Sequence, residues 1–362
     1  MSTGPGIKPF LILYSQMAAT ILFDMGLTRT PNEEQQSCQY LRVWSIRPPP
    51  PPKIRTMEER RAVLALWFCT SVCTSFIGKM ETLGWTSHMD DCLAVLEREG
   101  EQPLDEVLVA LVKIQLIGEE AHKLLRREAT GETGQGPTYI FKAGLQSRLN
   151  EIQQRLPARL RSHHVVKSQM YSVEAQVHSI SLFADQAIPE TMRISGKYAC
   201  TKAARAWFDT FFAVPLVEVP GLPFAVYVSM SHMQAVLYRL TTSEDPAWDK
   251  EILRNTADLL ALLDQTIDKF GKVGDVYSLK TDDSEGTIFS KGARILRNVR
   301  NSWEPALSQY LGGSLPTPSS QAMSCSAMEP RLMVENPLAN DTPSLDLNDM
   351  AWMTDIFGPW EF

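Results

Sequence analysis

Nothing in this chain of 362 residues approaches the roughly 18 consecutive apolar residues of a membrane span. Phe10-Leu-Ile-Leu-Tyr14, followed by Ala18-Ala19, has the outline of a signal-peptide core and cleavage site. The run is too short, Gln16 interrupts it, and apolar residues continue at helical spacing through Leu22 and Phe23, so the secretory reading fails. Asn340-Asp-Thr342 matches a glycosylation sequon and without secretion stays unused. Cysteine is sparse: Cys38, Cys69, Cys73, Cys92, Cys200 and Cys325 form no even framework and no C-x2-C pair. They read as reduced thiols. Basic excess is lacking as well, with 35 Lys and Arg against 42 Asp and Glu. From Leu332 onward there are six acids (Glu335, Asp341, Asp346, Asp349, Asp355, Glu361) and no Lys or Arg, so the net charge of −7 belongs almost wholly to the tail. The nearly neutral remainder offers no broad electrostatic footprint for nucleic acid. With 44% hydrophobic and 21% charged residues the chain is neither fibrous, nor wholly disordered, nor a disulfide-held miniature.

Catalytic constellations are missing too. The chain has no G-x-S-x-G, no H-E-x-x-H and no paired catalytic carboxylate motif. Gly131, Gly134 and Gly136 follow a helical pattern, and no Lys-Ser/Thr comes after them. A phosphate cradle needs a strand before it and a helix N-terminus after it, so this stretch is a loop. Cys69 with Cys73, and His88 with Cys92, stand four apart and would share helix faces; two such dyads supply the ligand types of a zinc site. Cys69 and Cys73 sit among Leu66, Trp67, Phe68 and Val72, however, where small buried thiols are ordinary core. His163 and His164 are adjacent and cannot face one ligand from a helix. His178 lies on the stripe Tyr171, Ala175, His178, Leu182 and reads as a hydrogen-bonded packing residue rather than a base. No catalytic, cofactor-binding or metal-ligating residue is assigned.

What is present is helical periodicity. Leu104, Val107, Leu111, Ile114, Gly118, Ala121 and Leu125 alternate steps of three and four, with Asp105 and Glu106 at the start and Lys123, Arg126 and Arg127 at the end, as a helix dipole favours. Phe141, Leu145, Leu149, Ile152 and Leu156 repeat the pattern up to Pro157. Similar runs occupy 11–23, 58–76, 170–182, 197–212, 224–240 and 249–270, and no series of strands with turn signals appears. The fold class is all-α: a multi-helix body over 1–310, a disordered linker over 311–344 rich in Ser, Pro, Gly and Asn, and an acidic-aromatic segment over 345–362. Five prolines, Pro48 to Pro52, form a stiff polyproline loop inside the first of these.

Two charge features remain. Lys291, Arg294, Arg297 and Arg300 recur every three residues on a predicted helix, a solvated face or a contact for the acidic tail. The tail alternates acids with bulky apolar groups, among them Trp352, Asp355, Phe357 and Trp360. Acids keep such aromatics hydrated and accessible, and a short amphipathic helix of this kind folds into a coactivator groove. The competing reading is a latch, with Trp352, Phe357 and Trp360 packed back on the helical body.

The residues Glu58-Glu-Arg-Arg-Ala-Val-Leu-Ala-Leu-Trp-Phe68, then Gly84-Trp85-Thr86 and residues 92–97, resemble the middle homology region of fungal binuclear zinc-cluster transcription factors, the six-cysteine type. The likeness continues through 169–182, Ala206-Trp-Phe-Asp209, Pro220-Gly-Leu-Pro-Phe224, Leu237-Tyr-Arg-Leu240 and Asp245-Pro-Ala-Trp-Asp249, and returns at 350–360. The resemblance implies a nuclear, non-enzymatic regulator of transcription, in many such proteins one that serves a secondary-metabolite pathway. It also implies an N-terminal DNA-binding zinc cluster, whose C-x2-C-x6-C pattern is absent here; Met1 lies already within the regulatory region. Zinc is therefore expected only in that absent cluster, with no cofactor in this chain and DNA reached indirectly or through the missing domain. Expected partners are the transcription machinery or a coactivator through the tail, and a full-length relative, with no membrane. The alternative is a cluster-less interaction protein, a coregulator or dominant negative of such a relative. An all-α enzyme is the third class.

Overall fold

The computed structural model describes residues 10–30, 54–77, 83–130, 138–183, 189–276 and 287–311. The proline run 48–52, the glycine-rich stretch 131–137, the linker after 311 and the acidic-aromatic tail lie outside them. Among the described residues every regular element is helical. They are α1 (Phe10–Asp24), α2 (Met57–Ile77), α3 (Ser87–Glu99), α4 (Pro103–Thr130), α5 (Thr138–Arg155), α6 (Ala158–Ser162) and α7 (His164–Phe183). There follow α8 (Glu190–Ala213), a 3-10 turn (Leu216–Gly221), α9 (Phe224–Thr241), α10 (Lys250–Ala257), α11 (Leu259–Val276) and α12 (Ile288–Leu311). The all-α expectation holds.

Helix ends are set by local chemistry. Gly26, at φ 68°, takes the left-handed position that closes α1. Gly26 N–H reaches Phe23 O at 2.9 Å and Leu27 N–H reaches Leu22 O at 3.0 Å, the paired bonds of a Schellman motif. α2 opens with a capping box: Glu59 N–H donates to Thr56 Oγ1 at 3.2 Å, and Thr56 N–H to Glu59 Oε2 at 2.9 Å. The pattern expected over 249–270 is two helices rather than one. Asp258 is extended at ψ 110°, and its Oδ1 accepts from Leu260 N–H at 3.0 Å and Ala261 N–H at 3.2 Å. An aspartate that caps a new helix in this way interrupts a periodicity that otherwise reads as continuous. Leu104 and Phe141, the first members of two apolar stripes, are exposed because each stands in the opening turn of its helix.

Two apolar cores result. The first joins α1 to α7 through Leu64, Trp67, Met89, Ile114, Leu149 and Val173. The second joins α8 to α12 through Trp207, Phe208, Phe211, Leu237, Leu263 and Leu296. Helices α7 and α9 serve both: Val173 and Val228 belong to the first core, Ala175 and Met230 to the second. Fifteen of the 18 residues of α9 are buried, so this helix has no solvent face on which to place its polar residues. An aromatic series runs through the second core: Phe211 to Phe270 at 6.2 Å between ring centroids, Phe270 to Phe289 at 5.7 Å, and Tyr238 to Trp303 at 4.8 Å.

Candidate functional site

Where α2, α4 and α7 meet, the first core carries a polar seam. Gln169 Nε2 donates to Gln115 Oε1 at 2.8 Å, and Gln115 Nε2 donates to Ser71 Oγ at 3.0 Å, linking the three helices. Two turns along α7, Gln176 is buried and neither end of its amide has a hydrogen-bond partner among the described residues; Ser172 Oγ is in the same state. Gln234 on α9 repeats it. The seam closes tightly. A Cβ on Gly118 of α4 would stand 3.0 Å from Val173 Cγ2 and 3.1 Å from Gln176 Oε1, so any larger residue here requires α7 side chains to give by a few tenths of an ångström. Buried amides without partners cost about 1–3 kcal/mol each, so this seam weakens the body where its helices cross.

Titratable groups near these helices are held neutral. Burial brings His122 and His178 down to about 4 and His232 to about 3, with neighbouring cations adding to the effect. For His178 the cation is Lys142, itself lowered by burial. His178 packs as the sequence suggests, but its Nδ1 lacks the expected hydrogen bond among the described residues. Burial raises Glu174, and it pushes the Cys73 and Cys200 thiols to about 12. At neutral pH the three histidines and the two thiols are uncharged packing elements rather than bases or thiolate nucleophiles. The two cysteine-containing dyads fall on separate helices, with His88 Nε2 3.6 Å from Cys92 Sγ on α3. Among the described residues no three His, Cys, Asp or Glu side chains converge to hold a metal ion.

The basic residues expected as a stripe all lie on α12, but they do not share a face. A step of three residues falls about 60° short of a helical turn, so four such positions move half way round the helix. Arg294 and Arg297 are exposed and Lys291 is half-buried. Arg300 turns toward α11, donating to Asp264 at 2.6 Å and to Glu304 at 2.8 Å. Arg300 is thus already committed to acids of the body. Trp352, Asp355, Phe357 and Trp360 lie outside the described residues.

A second charged cluster was not foreseen. Asp245 accepts from Arg193 Nε at 2.6 Å, from Lys197 Nζ at 2.8 Å and from Ala247 N–H at 3.1 Å. Lys197 is buried, also donates to Ser243 Oγ at 2.7 Å, and lies 5.7 Å from the centre of the Trp248 ring. The cluster ties the start of α8 to the segment between α9 and α10. Beside it an open groove of about 560 Å³ is lined by Glu190, Ile194, Tyr198, Lys202 and Ala247. Its only signal in the sequence is the pair of cations one turn apart at Arg193 and Lys197. The buried glutamines left a clearer trace: Gln115 and Gln234 each interrupt an apolar run.

Comparison with known proteins places these features beside fungal regulators. Residues 216–361 match the model of a C-terminal domain, ATEG07667_C. "Transcription factor opdL" of Penicillium oxalicum is 30% identical over 304 residues, covering 82% of this chain and 54% of that protein. A protein of Aspergillus terreus named "Transcription factor" is 24% identical over 316 residues, covering 79% of this chain and 51% of its own length. The chain spans about half the length of the curated relatives it matches. No solved structure matches it. Across most of its length, then, this all-helical chain is similar to fungal proteins named as transcription factors.

Proposed function

We propose that the chain is the regulatory part of a fungal transcription regulator acting in the nucleus, with residues 345–362 as its activation segment. The observation that carries this reading is the 30% identity over 304 residues to a protein named as a transcription factor. The helical body supports it: the buried His122, His178 and His232 and the Cys73 and Cys200 thiols are held neutral and packed, which suits a scaffold that exchanges contacts rather than bonds. In the finer reading the regulator serves one pathway, of secondary metabolism, and the body alternately holds and releases the tail. In that reading the tail's acids meet the α12 surface that carries Arg297, which is exposed, while Arg300 bonds to Asp264 and Glu304.

A reporter assay with the full chain fused to a foreign DNA-binding domain tests this. Transcription should rise, and the triple variant Trp352→Ala, Phe357→Ala, Trp360→Ala should abolish the rise while leaving the helical signal unchanged. Equal activity of the variant and the parent would remove the tail from the mechanism. A second reading is a coregulator that borrows its DNA contact from a full-length relative. Co-purification with such a relative, and loss of function when the relative is deleted, would select it.

A further inference from the structure

The open groove beside the Asp245 cluster follows α8 from Glu190 through Ile194, Ser195 and Tyr198 to Lys202, about 18 Å along the helix, with Ala247 of the segment between α9 and α10 beside it. Its middle is apolar, formed by the half-buried Ile194 and Tyr198 and the exposed Ala247. Tyr198 packs against the buried Trp248, with ring centroids 4.8 Å apart, so this wall is fixed in place. An acid, Glu190, stands at one end and a cation, Lys202, at the other. Asp245 engages Arg193 and Lys197, whereas Lys202 is exposed and makes no ion pair among the described residues.

The place where the chain leaves the body selects the occupant. Helix α12 ends at Leu311, and the ring of Tyr310 lies 4.4 Å from Lys250 Nζ. Lys250 opens α10 three residues after Ala247, so the 33 residues 312–344 set out from beside the groove and lead to 345–362. A coil of that length separates its ends by roughly 30 Å, enough to reach the groove without being stretched. Tethering on this scale gives an effective concentration of about 1 mM, which holds a contact with a Kd of about 0.1 mM ten times to one. An area too small to bind a free partner is then sufficient. The segment brings Trp352, Ile356, Phe357 and Trp360 for the apolar middle, and acids without a single cation for Lys202. The matched C-terminal domain also runs unbroken over 216–361, taking α9 to α12 and the segment as one unit. We propose that residues 345–362 of this chain dock in the groove, their aromatic side chains against Ile194, Tyr198 and Ala247 and a carboxylate on Lys202. This deepens, and rests on, the reading in which the body holds and releases the tail: the α12 surface offers a cation, and the groove offers the recess that the aromatic side chains need.

Carbodiimide coupling joins a lysine to a carboxylate that touches it. Applied to the full chain and read by mass spectrometry of the monomer, it should link Lys202 to a peptide from 345–362. The link should fall about tenfold in Ser195→Trp, which fills the groove from an exposed helical position, and in the triple variant Trp352→Ala, Phe357→Ala, Trp360→Ala. Circular dichroism of each should match the parent. In the reporter assay Ser195→Trp and Lys202→Glu leave the segment intact and should raise transcription several-fold by releasing it, the opposite of the triple variant. Links from the tail to Lys291 with none to Lys202 would confine the tail to α12 and overturn the proposal. So would a tail that links to no lysine of the body, or a Lys202 link unchanged in Ser195→Trp. Full reporter activity in the triple variant would refute the activation reading instead, and the Lys202 link decides the groove independently of it.

Discussion

The crossing of α4 and α7 can be tested with one substitution made at two glycines. Gly144 on α5 is exposed, and an added Cβ would meet nothing within 4 Å. Gly144→Ala should therefore stabilise the chain by the intrinsic helical advantage of alanine, about 1 kcal/mol. Gly118→Ala gains the same intrinsic term but sets its methyl group 3.0 Å from Val173 Cγ2 and 3.1 Å from Gln176 Oε1. Neither neighbour can withdraw easily: Val173 is fully buried in the first core, and Gln176 lies on the same buried face of α7. Overpacking of this kind costs about 1–3 kcal/mol, so the two alanine variants should differ by that amount, with Gly118→Ala the less stable. The assay is urea unfolding followed by circular dichroism, with the free energies of the variants compared at a common slope. Equal stability gains at both sites would refute the argument, since it would mean that α4 and α7 separate freely where they cross.

Removing the charge of Asp245 leaves Lys197 buried beside Arg193, and Asp245→Asn should cost about 3 kcal/mol in the same assay. The guanidinium of Arg193 holds the Asp245 carboxyl well below the usual carboxylate range, and Arg61 holds Asp105 at about 2. The unfolded chain therefore binds more protons in acid. The stabilisation is complete above about pH 4 and is lost as pH falls below it, a limb that should shrink in Asp245→Asn. Lys269 of α11 donates to Phe212 O at 3.1 Å and to Val214 O at 2.5 Å, capping the end of α8; Lys269→Met should destabilise by about 2 kcal/mol through the orphaned carbonyls. Cys200, fully buried with its thiol raised to about 12, should resist iodoacetamide in the folded protein and react on unfolding, which mass spectrometry of the modified peptide would read.

Most of the architecture was legible because burial in a helical body leaves a period of 3.6 in the apolar residues, which α4 and α11 carry most plainly. The break at Asp258 was not, since an aspartate inside an apolar pattern signals a cap only once its side chain is seen to take the next two N–H groups. The basic stripe is spread round α12 by a geometry that the sequence itself contains: a spacing of three drifts round a helix, and Arg300 ends against α11. Function was less legible than fold. The interior seam takes shape only when three helices bring Ser71, Gln115 and Gln169 together, although Gln115 marks itself by interrupting an apolar run. The Asp245 cluster likewise joins positions some fifty residues apart. The likeness to fungal regulators came from the order of short segments along the chain rather than from any group capable of chemistry.

The domain matched by residues 216–361 does not begin at a boundary of packing. Its first described helix, α9, lies between the two cores, and the second core is filled from the other side by Trp207, Phe208 and Phe211 of α8. Trp207 and Phe211 stack at 5.6 Å, Phe211 meets Phe270 of α11 at 6.2 Å, and Lys269 of α11 caps the chain at Phe212 and Val214. A fragment starting at residue 216 would keep α9 to α12 but lose every one of these partners. Losing three buried aromatic side chains, each worth about 3 kcal/mol or more, removes an amount comparable to the whole stability of a small helical body. Expressed alone, residues 216–362 should retain helical circular dichroism, bind a hydrophobic dye and show no cooperative thermal transition, as a molten globule does. Starting the fragment at residue 189 restores α8 and should restore the transition. A sharp transition in the shorter fragment would show instead that α8 is held by the second core without being needed for it.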